Sequence, residues 1–239
     1  DSMEITDIPV EGYERVARCH DAATGLLAFI AVHDTTLGPA LGGMRLWKYE
    51  SEDEAIFDVT RLAKGMTYKS AVADTGLGGG KSVIMGDPDN KSPELFRAMG
   101  RFIDDFGGTY ITAEDMNIGI ADLRYVREAT EYVTGLSREE GGSGNPSPST
   151  AYGCVVGIEA AAQYRYGSSD LAGKHILIQG VGAVGGEMAR LLKERGARIT
   201  ICDIKADRVA DLCKQYGYAS VEEDHHLDVD CDIYAPCAR

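Results

Sequence analysis

Two lysines and an aspartate stand where residue type and local pattern could support proton transfer. In RLAKGMTYKSA, Lys69 follows Leu62 and Met66 at helical spacing, so a continuous helix places it on an apolar face where a core residue is expected. A lysine there loses hydration and needs a partner or a task. Lys81 lies in GLGGGKSVI, read as the end of a flexible loop entering a strand, where glycines let a ligand approach the backbone. Asp115 closes the predicted strand YITAED at its carboxyl end, where ligand-facing side chains collect in α/β folds. Two crowded ammonium groups destabilise each other's charged form, and burial adds to this. One could then be neutral near neutral pH and serve as a base, while the other grips a carboxylate. The plain alternatives are a Lys69 that snorkels to water, a Lys81 on a surface loop and an Asp115 in a turn.

A second constellation is Gly180-Val181-Gly182-Ala183-Val184-Gly185, after the predicted strand His175 to Gln179 and before a predicted helix. Without side chains at the glycines the backbone turns tightly, approaches a pyrophosphate and sets the helix N-terminus against its charge. The next strand ends at Asp203, whose carboxylate would accept hydrogen bonds from adenosine ribose hydroxyls and repel a 2′-phosphate, so NAD is expected over NADP. A glycine-rich turn that binds nothing, and an Asp203 that merely ends a strand, are the bland readings. GGGKS also invites a phosphate-binding P-loop, but its first glycine would fall at Thr75, and Val83-Ile84-Met85 after Ser82 favours strand over the required helix.

The elements that must position these groups read as α/β. ERVARCH and LLAFIAVH flank a turn-like segment and predict an antiparallel hairpin. TTLGPALGGMRLW reads as a loop, followed by the capping-box pattern Ser51-Glu52-Asp53-Glu54 and an amphipathic helix. SVIMGDP, a helix opened by Ser92-Pro93-Glu94, YITAED and a helix near IADLRYVREAT then alternate as β-α-β-α. SREEGGSGNPSPST has the composition of a hinge, which predicts a boundary near residue 145. Beyond it, AYGCVVGIEAAAQYRYG reads as a helix, KHILIQGVGAVGGEMARLLKERGARITICD as strand, turn, helix and strand, and ADRVADLCKQYG and CDIYAP as a further helix and strand. The expectation is a residue 1–145 α/β substrate, catalytic and oligomerisation domain with a mixed sheet, then a partial Rossmann NAD-binding domain over 146–239 that stops after its fourth-strand region.

The 239-residue chain carries a formal charge of −14, which opposes nucleic acid and anionic membrane surfaces and favours small-molecule partners. No apolar run approaches the roughly 20 residues needed to cross a bilayer, and DSMEITDIPVEGYERV has neither the basic flank nor the apolar stretch of a signal peptide. The 6 cysteines are scattered without a C-x-x-C pair, which suits buried thiols in a reducing cytoplasm, and no metal ligands are expected.

GPALGGMRLW, LAKGMTYKSA, LGGGKSVIMGDP, YITAEDM, SGNPSPSTAYG, QGVGAVG and CDIYAPCA, all in order, resemble the glutamate, leucine, phenylalanine and valine dehydrogenase superfamily, nearest its leucine-type members. The resemblance implies an NAD-dependent enzyme that oxidatively deaminates an L-amino acid to a 2-oxo acid and ammonia, and that is a homo-oligomer; the cytoplasmic expectation rests on the cysteines and the N-terminal segment. By motif, it implies that Lys69 binds the substrate carboxylate, Lys81 is the general base and Asp115 exchanges protons with it. It assigns Thr150, Gly180, Val181, Gly182, Ala183, Val184, Asp203, Cys237 and Ala238 to the cofactor. Glutamate-specific relatives carry a lysine where this chain has Leu41, so an apolar, branched-chain or aliphatic substrate is expected, with Leu41, Gly42, Met66 and Thr134 shaping its pocket. Leu41 as plain core is the alternative. Asn117 in AEDMNIG departs from the leucine-type pattern. A truncated, catalytically inactive binding or assembly module of the same fold is the rival expectation.

Overall fold

Alternating apolar residues pair where the pattern is cleanest. β2 (Arg15–Asp21) and β3 (Leu26–Asp34) form the expected antiparallel hairpin, with Arg15 opposite Val32 and Asp21 opposite Leu26. The computed structural model describes residues 3–238, and its chain divides into two compact units at the junction of Asn145 and Pro146.

The first unit is built on a mixed sheet ordered β1-β2-β3-β5-β4-β6. β1 (Met3–Asp7) and β3 are antiparallel to their neighbours, whereas β5 (Gly78–Met85), β4 (Ala40–Trp47) and β6 (Tyr110–Glu114) run parallel. TTLGPALGGMRLW is therefore not a loop throughout: its second half is β4, the strand between β5 and β6. The pair Gly42-Gly43 lacks the side chains from which strand alternation is read, and both partner strands lie far along the chain. Lys81 also sits inside a strand and not at the end of a loop, because Gly78, Gly79 and Gly80 are themselves buried residues of β5.

One face of this sheet carries α1 (Glu52–Val72). Its start is capped as the sequence predicts, the Ser51 hydroxyl accepting from the Glu54 N–H at 3.1 Å. Ala55, Val59 and Ala63 pack on Phe29, Ala31 and Val83, and the small alanines let helix and sheet approach closely. The other face is covered by α2 (Pro93–Asp104) and α3 (Ile120–Arg127), which bury Phe96, Met99, Phe102, Ile103, Leu123 and Val126 against Ile30, Met44, Leu46 and Ile84. Burial of each large apolar side chain contributes about 1.5–3 kcal/mol, so the two faces hold the sheet rigid beneath its chemistry.

The second unit has a parallel sheet ordered β10-β7-β8-β9, formed by β7 (His175–Gln179), β8 (Arg198–Cys202), β9 (Ala219–Ser220) and β10 (Ile233–Pro236). α4 (Ser147–Tyr166) starts before the predicted segment, inside the Pro- and Ser-rich stretch, with Pro146 at its N-cap. Together with α5 (Ala183–Glu194) and α6 (Ala206–Tyr216) it packs Ala151, Val155, Met188, Leu192 and Val209 against Ile176, Ile178, Ile199 and Ile201. The cysteines are all unpaired, but only Cys19 and Cys202 are buried; Cys154 is exposed and Cys213, Cys231 and Cys237 are half-buried. Among the described residues no helix is long and apolar enough to cross a membrane, and no group of three or more potential ligands could hold a metal ion.

Candidate active site

Parallel strands β5 and β6, which flank β4, bring the candidate reactive groups of the first unit together across it. Lys81, only 5% exposed, points its ammonium at Asp115, with Nζ 3.2 Å from Oδ1. Asp115 follows β6 directly, in a turn closed by the Ile118 N–H donating to its carbonyl at 3.1 Å. Asn117 in this turn has φ 61°, the left-handed region that asparagine tolerates better than most side chains, so the departure from the leucine-type pattern meets a backbone it can adopt. Its side-chain amide donates to the Leu46 carbonyl at 2.9 Å and pins the turn to the end of β4. A Cβ at Gly43 would come within 2.9 Å of the Asp115 Cβ and collide with the Glu114 carbonyl oxygen, so glycine there leaves room for the aspartate.

Burial holds the Lys81 ammonium below the usual lysine range; Arg45 and Lys69 push the same way, and Asp115 opposes them. For Asp115, burial acts to raise the carboxyl, but the Lys81 charge, the Arg45 hydrogen bond and the Met116 N–H outweigh it and hold it below the ordinary carboxylate value. The pair therefore couples an ionised acceptor to an amine that gives up its proton more readily than a surface lysine.

Lys69 stands differently from the sequence expectation. It is exposed in the last turn of α1 and does not lie on the buried face. That face runs through Ala55, Val59, Ala63 and Ser70, whereas Leu62 and Met66, which set the expectation, are themselves half-buried on the flank. Exposed there, Lys69 stays close enough for its charge to reach Lys81.

Of the pocket candidates, Gly42 and Met66 come together: a Cβ at Gly42 would lie 3.3 Å from the Met66 Cγ. The Gly42 carbonyl accepts from the buried Tyr110 hydroxyl at 2.7 Å, a hydroxyl also 2.8 Å from Ser82 Oγ. Leu41 is half-buried between Gly79 of β5 and Ile111 of β6. Thr134 is half-buried on the opposite side of β6 from β4, its N–H donating to the Thr112 carbonyl at 2.8 Å.

The sequence reading missed Arg45, Asp58 and Tyr49. Arg45 Nε donates to Asp115 Oδ2 and its Nη1 to Asp58 Oδ2, both at 2.8 Å, and the Tyr49 hydroxyl donates to Asp58 Oδ2 at 2.7 Å. Arg45 is 6% exposed and Asp58 8%. Removing one member of such a buried pair costs about 3–5 kcal/mol, against about 0–1 kcal/mol for an exposed one, so these partners matter more than the surface pairs of the same unit. The available signal was an arginine between Met44 and Leu46 in an otherwise apolar run, which the loop assignment hid.

In the second unit, the turn after β7 can be tested for its fit to a dinucleotide. Gly180 has φ +88°, and a Cβ there would lie 2.6 Å from the Ala238 N. Gly182, the N-cap of α5, carries no capping side chain and faces open space, whereas a Cβ at Gly185 would collide with the Gly180 carbonyl oxygen. Val181, Ala183 and Val184 complete the turn and the first residues of α5, leaving uncapped helix N–H groups for an anion. Asp203 directly follows β8, with Oδ2 accepting from the Val181 N–H at 2.8 Å and Oδ1 from the Lys205 N–H at 2.9 Å; each oxygen retains a further lone pair. Beside it lies a cavity of about 420 Å³ lined by Asp203, Ala206, Val209, Ala210 and Ser220 to Glu223. Cys237 continues β10, its N–H donating to the Gln179 carbonyl at 2.7 Å and its thiol pushed up to about 11 by burial, and Ala238 abuts Gly180. Thr150 is exposed in α4 with its hydroxyl donating to the Pro146 carbonyl at 3.0 Å. The turn, the free helix start and the strand-end carboxylate fit a dinucleotide.

Comparison with known proteins agrees with both units. A family model described as Glu/Leu/Phe/Val dehydrogenase, dimerisation domain, matches residues 13–132, and a second, described as Glutamate/Leucine/Phenylalanine/Valine dehydrogenase, matches residues 141–211. The chain is 52% identical over 227 residues to a leucine dehydrogenase of Geobacillus stearothermophilus, covering 95% of this chain and 62% of that protein. It is 42% identical over 236 residues to a phenylalanine dehydrogenase of Lysinibacillus sphaericus, covering 96% and 62%. The crystal structure of an L-tryptophan dehydrogenase from Nostoc punctiforme matches with a TM-score of 0.73 at 39% identity, over 95% of this chain and 64% of that one. The chain thus spans less than two thirds of the length of these relatives. With that extent understood, the match over most of the first unit and into the second leads to one conclusion: the chain belongs to the Glu/Leu/Phe/Val dehydrogenase family.

Proposed function

We propose that this chain carries the catalytic groups of an NAD-dependent dehydrogenase that oxidatively deaminates an apolar, aliphatic L-amino acid to its 2-oxo acid and ammonia. The observation that carries the reading is the buried Lys81 ammonium 3.2 Å from Asp115, with its proton affinity lowered by burial and by neighbouring cations. Relatives named for leucine, phenylalanine and tryptophan support an apolar substrate side chain.

Lys69, exposed and hydrated, binds the substrate α-carboxylate as a cation. A bound nicotinamide would supply the hydride acceptor for the substrate Cα. Neutral Lys81 then takes a proton from the water that adds to the imine carbon, and Asp115 takes the hydroxyl proton of the adduct and returns it to the amine, so that the C–N bond breaks to leave the 2-oxo acid and ammonia. Leu41, Gly42 and Met66 offer an apolar wall, against which an acidic substrate side chain would leave its charge unpaired at a cost of several kcal/mol. The Gly180–Gly185 turn and the α5 N-terminus would hold the pyrophosphate and Asp203 the adenosine ribose, with Cys237 and Ala238 bordering the turn and Thr150 toward the nicotinamide. Glu222 and Glu223 beside Asp203 add negative charge that disfavours a 2′-phosphate, which supports NAD over NADP. The "dimerisation domain" description of the family model supports a homo-oligomer.

The test is the appearance of reduced nicotinamide when leucine and NAD are added. Turnover that disappears in Lys81→Ala, with NAD affinity retained, is the expected result; loss of NAD affinity in that variant would refute the assignment of Lys81. NAD binding without turnover in the unmodified chain would favour the inactive-module reading.

A further inference from the structure

We propose that Arg45 is a positioning residue that holds the Asp115 carboxylate by its Oδ2 and leaves only Oδ1 to the Lys81 ammonium, with Asp58 and Tyr49 fixing the guanidinium in turn. The inference rests on the reading of Lys81 as the base and adds the device that keeps this lysine able to lose its proton.

The geometry is a buried alternation of charge. Tyr49 and Asp58 meet at 2.7 Å, Asp58 and Arg45 at 2.8 Å, Arg45 and Asp115 at 2.8 Å, and Asp115 and Lys81 at 3.2 Å. Arg61 closes the outer end, its Nη2 donating to Asp58 Oδ1 at 2.7 Å. Arg45 uses two different nitrogens for its two carboxylates, so its planar fork is fixed at both ends and cannot rotate away from one without releasing the other. The shorter contact is the one to Arg45, which makes Asp115 belong more to the guanidinium than to the ammonium. A carboxylate shared in this way stabilises charged Lys81 less than an undivided partner would.

The groups facing Lys81 come from every side. α1 contributes the Lys69 charge, β4 contributes Arg45, the turn after β6 contributes Asp115, and β3 places uncharged Ala31 opposite it. Of these, Arg45 and Lys69 disfavour the protonated amine and Asp115 favours it. Removal of Arg45 deletes one repelling charge and frees Asp115 to pair wholly with Lys81; both effects raise the proton affinity of Lys81 and hold it as ammonium.

The experiment is a pH titration of the whole chain labelled with ¹³Cε-lysine, read by nuclear magnetic resonance and with the Lys81 signal assigned from Lys81→Met. It needs neither substrate nor cofactor. In the unsubstituted protein the Lys81 midpoint is expected below the ordinary lysine value of about 10.4. In Arg45→Gln it is expected to rise by about one unit, about tenfold less neutral amine at a fixed pH below the midpoint. Arg45→Lys, which keeps the charge and loses the fork, is expected to return it most of the way. Because Arg45→Gln strands the buried Asp58 carboxylate, the double variant Arg45→Gln with the isosteric Asp58→Asn repeats the measurement without that stranded charge. The same upward direction is expected there, since Asp58 lies beyond Arg45 from Lys81. A midpoint unchanged or lowered in the folded variants overturns the role of Arg45. A midpoint in the unsubstituted protein that is not lowered overturns instead the reading of Lys81 as a base.

Discussion

The Val181 N–H donates to the Asp203 carboxylate at 2.8 Å, tying the glycine turn after β7 to the end of β8. Asp203 therefore holds the turn in shape as well as standing at the proposed ribose site. Asp203→Ala removes acceptors for the N–H groups of both Val181 and Lys205, each hydrogen bond contributing about 0.5–1.5 kcal/mol, whereas Asp203→Asn keeps an acceptor for one of them. The expected order of NAD affinity by calorimetry is unsubstituted, then Asn, then Ala, with NADP weakened least. Equal losses for both cofactors in both variants would remove Asp203 from ribose selection.

The glycines of the same turn divide by what surrounds them. Gly182 faces open space at ordinary φ, so Gly182→Ala should change the unfolding midpoint little, an N-cap glycine-to-alanine exchange costing about a few tenths of a kcal/mol to 1 kcal/mol, while a methyl group on the turn blocks the pyrophosphate. Gly185→Ala drives a Cβ into the Gly180 carbonyl and should destabilise the second unit by about 1–3 kcal/mol. Urea unfolding beside NAD titration separates the two; a Gly182→Ala protein that binds NAD normally would move the anion site elsewhere.

Gly43→Ala should damage the lysine–aspartate pair without replacing either residue. Its Cβ meets the Glu114 carbonyl and the Asp115 Cβ, and backbone yields less readily than the end of a side chain. A destabilisation of about 1–3 kcal/mol is expected in thermal unfolding, together with a shifted Lys81 Cε resonance. An unaltered resonance would show that Asp115 has freedom that its turn denies.

Asp58 and Asp115 are the buried contributors to the acid limb of stability, both held below the ordinary carboxylate value when folded. For Asp58, burial acts to raise the group, and the Tyr49, Arg61 and Arg45 contacts outweigh it. Their folded proton affinities are lower than the unfolded ones, so the unfolded chain binds more protons as pH falls. The contribution is fully present above about pH 4 and is lost as pH falls through the lower folded values. Urea midpoints should therefore decline below about pH 4 and decline less steeply in Asp58→Asn, from a lower starting stability; parallel slopes would contradict the charge assignments.

Much was legible in linear order because it depends on neighbours in the chain. The Ser51 cap, the β2–β3 hairpin, and the strand, glycine turn and helix over residues 175–194 all rest on local backbone preference and spacing, and each folds where its pattern lies. The identity of Lys81 and Asp115 as a candidate pair was equally visible, through motifs in order. Tertiary structure alone decided that Ala40–Trp47 is a strand between β5 and β6, because parallel pairing is made with distant segments and leaves no local alternation when its middle is Gly42-Gly43. It also decided that Lys69 is exposed, since the face a helix buries is chosen by the sheet beneath it, and a residue one position from Ser70 is turned by about 100°. Arg45 became a partner of Asp115 for the same reason: β4 and β6 are adjacent in space and far apart in sequence, so an arginine in an apparent loop closes a buried network that spacing along the chain could not reveal.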